Sequence, residues 1–320
     1  MPPLPASGAA AEPVGRRDFV KRHRPARLAA LLLALLALLT PRGIETTHYL
    51  CVSPALPEAF DGFRIVELAD LHGAFLGAAQ PQLLDAVRAA APDLIAITGD
   101  LFDAQTDRAA LEPLLRALLT AAPVFYVTGN HEWAAGGVPE TLSRLRSLGV
   151  TVVDNGWQVL RRGDAQIVVA GVQDPNGFRD ADPPEALLSA VRQQCGEDCY
   201  ILLLAHRNGQ LARWYRCGVQ TVLAGHGHGG VLRLPLIGGL LGTDGTLLPF
   251  FDAGLYRAGD TTMVVSRGLG STGVLPRLGN RPELPVIVLR KRCANDLRRG
   301  VGHEAAPEGG GGASRAACES

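Results

Sequence analysis

Short apolar runs and amphipathic stretches alternate along the first part of the chain. Runs rich in Val, Ile, Leu and Phe predict buried strands at residues 63–68, 94–97, 124–127 and 150–153. Apolar side chains at helical spacing predict helices between these strands, at residues 80–91, 108–121 and 139–148. Strands that alternate with helices of roughly 10–15 residues are typical of α/β proteins with largely parallel pairing.

The second part of the chain continues this alternation and adds a hairpin. Residues 158–161 and 165–172 predict two antiparallel strands joined through Gly163, which suits a tight turn. Further elements follow: a helix at 184–193, a strand at 201–204, a helix around Leu211, and strands at 220–223, 262–265 and 286–289. From Val231 onward, Gly and Pro recur often.

Composition bounds the domain organisation. With 320 residues, of which 47% are hydrophobic, the chain can bury a sizeable core. Arg plus Lys equals Asp plus Glu, at 31 each, so the net charge indicates no nucleic-acid partner. We expect one folded domain at 46–292, entered through a linker that contains Pro54 and Pro57, and a disordered Gly-rich tail at 293–320.

The N-terminal segment, residues 1–45, carries the features of an export signal or anchor. Arg16 and Arg17 precede an apolar pair and Lys21, a pattern that resembles the twin-arginine export signal. The apolar run at 28–39 has twelve residues, which is short for a membrane span of about 20. An ordinary signal anchor is the alternative. Because basic flanks stay in the cytoplasm, both interpretations place the folded domain outside it, at the cell membrane or secreted if the segment is cleaved.

The cysteines leave the disulfide question open. They are six in number: Cys51, Cys195, Cys199, Cys217, Cys293 and Cys318. An even count in an exported protein permits disulfides, and Cys195 and Cys199 are the closest pair in sequence. Unpaired cysteines that only pack are the alternative we favour, because spacing alone does not fix connectivity.

Five short polar motifs each follow an apolar run. They supply seven side chains that can bind a metal: Asp70, His72, Asp100, Asn130, His206, His226 and His228. Residues just past strand ends are held by a rigid sheet and gather at its carboxyl edge. Carboxylate, amide and imidazole ligands without thiolates suit Mn, Fe or Zn rather than a structural zinc site. The set therefore predicts two divalent cations in a hydrolase site.

In their order, the motifs resemble those of the calcineurin-like metallophosphoesterase superfamily: D-x-H, G-D-x-x-D, G-N-H-[DE], H and G-H-x-H. The resemblance implies a four-layer α/β/β/α sandwich of two mixed sheets. It also implies the ligand sets, which are Asp70, His72 and His228 for one metal, Asn130, His206 and His226 for the other, and Asp100 as the bridge. A bridging hydroxide would attack phosphorus in line with the leaving group.

The same resemblance implies catalytic roles for two residues that do not bind metal. His131 would protonate the leaving oxygen or stabilise the charge that grows there. Asp103 matches the position that orients this histidine. Glu132, next in the motif, is interpreted as structural.

One departure from the family pattern concerns substrate binding. Protein phosphatases of the superfamily have an arginine after the second motif Asp that grips phosphate, but here Ala104 follows Asp103. Activity on phosphoproteins is therefore disfavoured. The arginines expected to bind substrate phosphate instead are Arg207, Arg267 and Arg281.

Two C-terminal stretches narrow the resemblance further. Residues 266–271 and 280–284 look like the membrane-linked bacterial subgroup of the YkuE and YaeI type. We expect a metal-dependent hydrolase of phosphodiesters or phosphomonoesters, with a membrane phospholipid or glycolipid among its candidate substrates. A binding scaffold that keeps the fold without catalysis is the alternative, and it is disfavoured because every ligand and His131 are present.

Overall fold

The computed structural model describes residues 27–35, 43–179, 182–230, 232–234, 236–271 and 277–292. Residues 27–35 form a helix, α1, whose side chains are exposed. Among the described residues, no helix is long and apolar enough to cross a membrane. The paired arginines, the rest of the predicted apolar run and the predicted tail lie outside the described residues.

The first of two six-stranded sheets contains the strands predicted in the first part of the chain and two more. In spatial order these are β1 (Glu45–Ser53), β14 (Glu283–Lys291), β2 (Arg64–Leu68), β3 (Leu94–Ile97), β4 (Val124–Tyr126) and β5 (Thr151–Val152). Neighbouring strands are parallel except β14 and β2, which are antiparallel. Its helices are α2 (Gln80–Ala90), α3 (Leu111–Leu119), α4 (Asn130–Ala135) and α5 (Val138–Leu148).

The second sheet differs from the first in its edge strands, which pair antiparallel with their neighbours instead of parallel. In spatial order its strands are β12 (Gly254–Ala258), β13 (Thr261–Val265), β9 (Thr221–Ala224), β8 (Ile201–Ala205), β7 (Ala165–Val172) and β6 (Gly156–Arg162). Both outer pairs are antiparallel, and the inner strands are parallel. Helices α6 (Pro184–Cys195) and α7 (Leu211–Arg216) belong to this half. A two-stranded hairpin, β10 (Arg233–Leu234) and β11 (Gly238–Gly239), lies outside both sheets.

Three apolar clusters define four layers. In the first, Leu83 of α2, Leu114 of α3 and Leu145 of α5 pack on one face of the first sheet. A second cluster lies between the sheets, where side chains of β2, β3 and β4 meet those of β7, β8 and β9. In the third, Leu188 of α6 and Trp214 of α7 pack on the far face of the second sheet. The predicted α/β/β/α sandwich of two mixed sheets is confirmed.

The part of the expected linker that precedes Pro54 is an edge strand, which was not predicted, whereas Pro54 and Pro57 themselves follow that strand. Residues Glu45–Ser53 form β1, in which exposed and half-buried side chains alternate before Cys51 and Ser53 become buried. The strand pairs in parallel with β14, more than 230 residues away, so no local pattern announced its partner. The four cysteines among the described residues, Cys51, Cys195, Cys199 and Cys217, are free.

Strand direction brings the polar motifs together. The loops with Asp70, Asp100 and Asn130 follow β2, β3 and β4, while those with His206 and His226 follow β8 and β9. β2, β3 and β4 run parallel to one another in the first sheet, and β8 and β9 run parallel to each other in the second. The carboxyl ends of parallel strands share one edge, so each sheet carries its motifs at a single edge.

We predict that the contact between the sheets tolerates no side chain at Gly171. A Cβ there would lie 2.4 Å from Val127 Cγ1 and 2.6 Å from the Val153 carbonyl oxygen, so Gly171→Ala should lower the free energy of unfolding by about 1–3 kcal/mol. Chemical denaturation measures this value.

The control is Gly156→Ala on the strand opposite. Gly156 pairs directly with Gly171, but a Cβ there meets nothing nearer than 3.9 Å. Equal stability of the two variants would contradict the proposed clash.

Candidate metal centre

The backbone at the predicted ligands is itself unusual. Five of the seven lie in the left-handed region: Asp70 (φ 50°), His72 (φ 47°), Asp100 (φ 50°), His226 (φ 67°) and His228 (φ 48°). Non-glycine residues adopt this region at a cost, and such residues cluster at functional sites. Hydrogen bonds between the loops hold it in place, since Asp70 N donates to Gly99 O at 3.1 Å and His72 N donates to Asp100 O at 2.9 Å.

One group of ligand atoms forms around two histidines of distant loops. Atoms of Asp70, His72, Asp100 and His228 all lie within 4.8 Å of one another, and all four residues are buried. The Nε2 atoms of His72 and His228 face each other at 3.2 Å. His228 Nε2 lies 3.6 Å from Asp70 Oδ1, and His72 Nε2 lies 3.7 Å from Asp100 Oδ2.

A second group shares Asp100 with the first. Asp100, His206 and His226 offer ligand atoms within 4.8 Å of one another. His206 Nε2 lies 3.3 Å from Asp100 Oδ2, 3.2 Å from His226 Nδ1 and 3.0 Å from Asn130 Oδ1. The structure thus brings all seven predicted ligand residues close together, with Asp100 in both groups and Asn130 beside His206.

The chemistry of these atoms fits divalent cations. Carboxylate oxygens and imidazole nitrogens that converge in a buried space repel each other unless a proton or a cation lies among them. His206 Nδ1 lies 2.9 Å from Thr98 O, and a carbonyl only accepts, so Nδ1 carries a proton and Nε2 is the atom left for a metal. His72 Nδ1 is buried and has no hydrogen-bond partner.

Burial shifts the pKa values of most ligands toward their neutral forms, and the charge pair of His206 with Asp100 is the exception. Burial raises the pKa of Asp70 to about 7 and lowers those of His72 and His226 to about 4. Burial also lowers the pKa of His206, but the neighbouring Asp100 carboxylate outweighs it and raises that pKa to about 9. Without metal, an imidazolium at His206 therefore neutralises Asp100.

Glu132 organises the loop that carries Asp100. Its buried carboxylate accepts hydrogen bonds from Gly129 N (2.8 Å), Asp100 N (3.0 Å) and Leu101 N (2.6 Å). Burial, together with the Asp100 charge, raises the pKa of Glu132 to about 7. This position agrees with the structural interpretation of Glu132.

The two predicted catalytic residues lie in different surroundings. His131 is half-buried, lines a cavity of about 390 Å³ over the ligands, and donates its backbone N–H to Asp100 Oδ1 at 2.8 Å. Asp103 accepts hydrogen bonds from its own turn, from Gln105 N at 3.0 Å and Thr106 Oγ1 at 2.8 Å. Its role toward His131 stays a prediction.

Of the three predicted arginines, Arg207 alone lines this cavity among the residues described. Its Nε and Nη2 bind the buried Asp174 at 2.6 and 3.1 Å, and its Nη1 lies 2.7 Å from His226 Nε2. Arg267 is paired instead with Glu45 and Glu283, each at 3.1 Å. Arg281 donates to Ile44 O at 3.4 Å. Arg267 and Arg281 therefore bind groups of the fold itself and do not line the cavity over the ligands.

Sequence reasoning missed several residues around the ligands. Arg277 Nη2 lies 3.4 Å from His228 Nδ1, and burial lowers the pKa of Arg277 only to about 10, so its charge persists at neutral pH. Asp174 fixes the direction of Arg207, and Thr243 and Asp244 line the cavity. None of these residues lies in a recognised motif, so no local signal marked them.

Comparisons with known proteins agree with this geometry. The family model for calcineurin-like phosphoesterases matches residues 63–230 of this chain. The chain is 30% identical to the metallophosphoesterase YkuE of Bacillus subtilis (strain 168) over 292 residues, which cover 87% of this chain and 98% of YkuE. It is 31% identical to the phosphodiesterase YaeI of Escherichia coli (strain K12), over 71% of this chain and 82% of YaeI.

A vertebrate relative is longer. The chain is 32% identical to a transmembrane protein with metallophosphoesterase domain from Danio rerio, over 74% of this chain and 55% of that protein. The chain thus spans about half the length of this relative.

The chain belongs to the calcineurin-like phosphoesterase family. It is a phosphoester hydrolase with a candidate metal-binding group of Asp and His residues. The predicted relation to the bacterial subgroup of YkuE and YaeI is confirmed.

We predict that Glu132→Gln lowers metal affinity although Glu132 is not a ligand. An amide would turn a donor toward backbone N–H groups that now meet carboxylate oxygens, which loosens the Asp100 loop and should cost about 10–100-fold in affinity. Isothermal titration of chelator-treated protein with Mn²⁺ or Zn²⁺ measures it. Glu140→Gln, at an exposed site on α5, is the matched control, and equal affinities in the two variants would refute the role of Glu132.

We predict that the metal-free protein loses stability from pH 7 to pH 9. The pKa of His206 is raised from 6.5 to about 9 in the folded state, so its contribution is complete below 6.5 and disappears as the pH passes 9. Urea unfolding in the presence of a chelator, at several pH values in this range, measures the slope.

His206→Gln should flatten that slope. The control His48→Gln changes an exposed histidine of β1 and should keep it. A slope that is unchanged in His206→Gln would contradict the assignment.

Proposed function

We propose that the site binds two divalent cations and hydrolyses phosphodiesters. Asp70, His72 and His228 would hold one cation, and Asn130, His206 and His226 the other. The observation that carries the proposal is the Asp100 carboxylate, which belongs to both groups of ligand atoms. Oxygen and nitrogen donors without thiolates favour Mn, Fe or Zn.

The cations, when bound, supply Lewis-acid activation of the phosphoryl group and a hydroxide nucleophile at neutral pH. His131 lines the cavity and can donate a proton to the leaving oxygen. Arg207, held by Asp174 on two nitrogens, presents its third nitrogen toward the ligand His226. Together with Arg277 it offers positive charge to an anionic substrate.

Two further cavities favour a diester over a monoester, because a diester carries two substituents. A cavity of about 410 Å³ shares His206 and Arg207 with the site, and one of about 170 Å³ shares His226. Both could receive an ester group beside the same phosphorus. The absence of an arginine after Asp103, where Ala104 stands, also disfavours the phosphoprotein monoesters.

The N-terminal segment supports a location at the membrane. Its basic cluster and the apolar run at 28–39 are features of an export signal or anchor, with the catalytic domain outside the cytoplasm. One relative is named a transmembrane protein. We therefore propose phosphodiesters of membrane phospholipids or glycolipids as substrates. A scaffold without catalysis is disfavoured because no candidate ligand is missing.

We expect chelator-treated full-length protein with Mn²⁺, Fe²⁺ or Zn²⁺ added back to hydrolyse bis-p-nitrophenyl phosphate faster than p-nitrophenyl phosphate. Asp100→Asn should lose both metals and turnover, whereas His131→Gln should keep the metals and lose about 10²–10⁴-fold in rate. Release of p-nitrophenol and elemental analysis measure the two effects.

Asp164→Asn, in an exposed hairpin turn, is the control for the charge change. Loss of metal in His131→Gln would contradict its assignment as a non-ligand. An inactive protein with two metals bound would favour the scaffold.

A further inference from the structure

Two consecutive hairpins beside the metal centre expose large apolar side chains. We name these residues the apolar ridge: Leu236, Ile237, Leu247, Leu248 and Phe250. Leu236 is fully exposed, and the other four are 60–80% exposed. Large apolar side chains exposed on neighbouring hairpins indicate a surface that contacts something other than water.

The ridge is built on a fixed base. Leu236 and Ile237 lie at the tip of the β10–β11 hairpin. The next hairpin is closed by a bridge between Leu241 and Leu247 and by the Leu248 N to Leu240 O bond at 2.9 Å. Below them, the Asp252 carboxylate accepts from Arg233 Nη1 and Gly239 N, each at 2.7 Å. The exposed side chains are thus presented by ordered backbone.

The ridge adjoins the mouth of the metal site. Thr243 and Asp244, in the second hairpin, line the cavity of about 390 Å³ with His226 and His228. Phe250 and His226 line the neighbouring cavity of about 170 Å³. Whatever covers the ridge therefore lies next to the ligands.

The chain also enters the domain on this side. Glu45, the first residue of β1, pairs with Glu283 at the end of the sheet where β2 leads to Asp70. Arg267 binds Glu45 and lines a cavity of about 440 Å³ together with Leu236 and Ile237. The basic and apolar N-terminal segment is therefore attached at the end of the sheet that carries the metal centre and the ridge.

We propose that the apolar ridge rests on a phospholipid bilayer, so that the metal cavity opens toward the headgroup layer. The proposal extends the membrane location proposed above and depends on it. Leu, Ile and Phe side chains are suited to the boundary between headgroups and acyl chains. The N-terminal segment joins the domain beside the ridge. A bilayer that held this segment would therefore lie close to the ridge and offer it an apolar partner. A phosphoester in the headgroup layer could then reach the ligands without leaving the membrane.

The test places a fluorophore in the ridge. Full-length Phe250→Trp is reconstituted with vesicles of phosphatidylcholine and phosphatidylglycerol, with or without bromine on the acyl chains. The emission of the unmodified protein, which has Trp133, Trp157 and Trp214, is subtracted. Brominated lipid should remove about half of the added emission, because interfacial side chains lie roughly 5–10 Å into this boundary.

Leu50→Trp is the matched control, since Leu50 is 52% exposed on β1, five residues beyond Glu45 along the strand, or roughly 17 Å. It should show no quenching. Adding Leu248→Glu to Phe250→Trp should abolish the quenching there. Equal quenching at positions 250 and 50, or none at 250, would overturn the proposal. A change in the added emission of Phe250→Trp with protein concentration, in the absence of vesicles, would also overturn it. That result would identify the ridge as a contact between two copies of the chain.

Flotation of the Phe250→Trp protein, and hydrolysis of bis-p-nitrophenyl phosphate by the unmodified protein in the same vesicles, separate the possible failures. Protein that floats with vesicles and hydrolyses the soluble diester, but shows no quenching, would refute the ridge alone. Protein that does not float would refute the membrane location and the ridge together. Protein that floats and is quenched but inactive would refute the proposed activity and leave the ridge.

Discussion

The Asp100 carboxylate is the group to which both halves of the molecule are tied. It is carried by the loop after β3 in the first sheet, yet its Oδ2 faces His206 from the second sheet at 3.3 Å. Its Oδ1 accepts the backbone N–H of His131, and its own N–H is held by Glu132. At Gly129, a Cβ would lie 2.2 Å from Asp100 Oδ1, so glycine is required for the carboxylate to stand here.

Holding this carboxylate in place costs stability, and the three apolar clusters offset that cost. Left-handed backbone at five ligands costs about 1–3 kcal/mol each. Asp70 and Asp100 are buried together, and in the absence of metal the charge of His206 is the strongest of the neighbouring influences that stabilise their ionised forms. The site is strained and charged, whereas the strands beneath it are almost entirely apolar. The rigid strands position the ligands, whereas the buried charges and the left-handed backbone are confined to the loops that follow them.

Much of this arrangement could be predicted from the sequence, for reasons that differ between residues. The strands around Ile65, Ile95 and Leu203 are short apolar runs, and the polar side chains just past them necessarily lie at strand ends. Arg277, Asp174 and the strand β1 were not predicted, because each acts through a partner far away in the chain. Arg267 and Arg281 were expected near phosphate from their charge alone, but local sequence does not tell which carboxylate or carbonyl an arginine will meet. Here those partners are Glu45 with Glu283, and Ile44 O.

Because β1 pairs in parallel with β14, the two ends of the domain differ as attachment sites for a purification tag. Nine paired residues at about 3.3 Å each put the start of β1 and the end of β14 roughly 30 Å apart, at opposite ends of the sheet. An oligohistidine tag fused directly before Gly43 would emerge beside the ligands and compete with them for metal during purification. The same tag placed after Arg292 would emerge at the far side, where the immobilised nickel of an affinity resin stays clear of the native site.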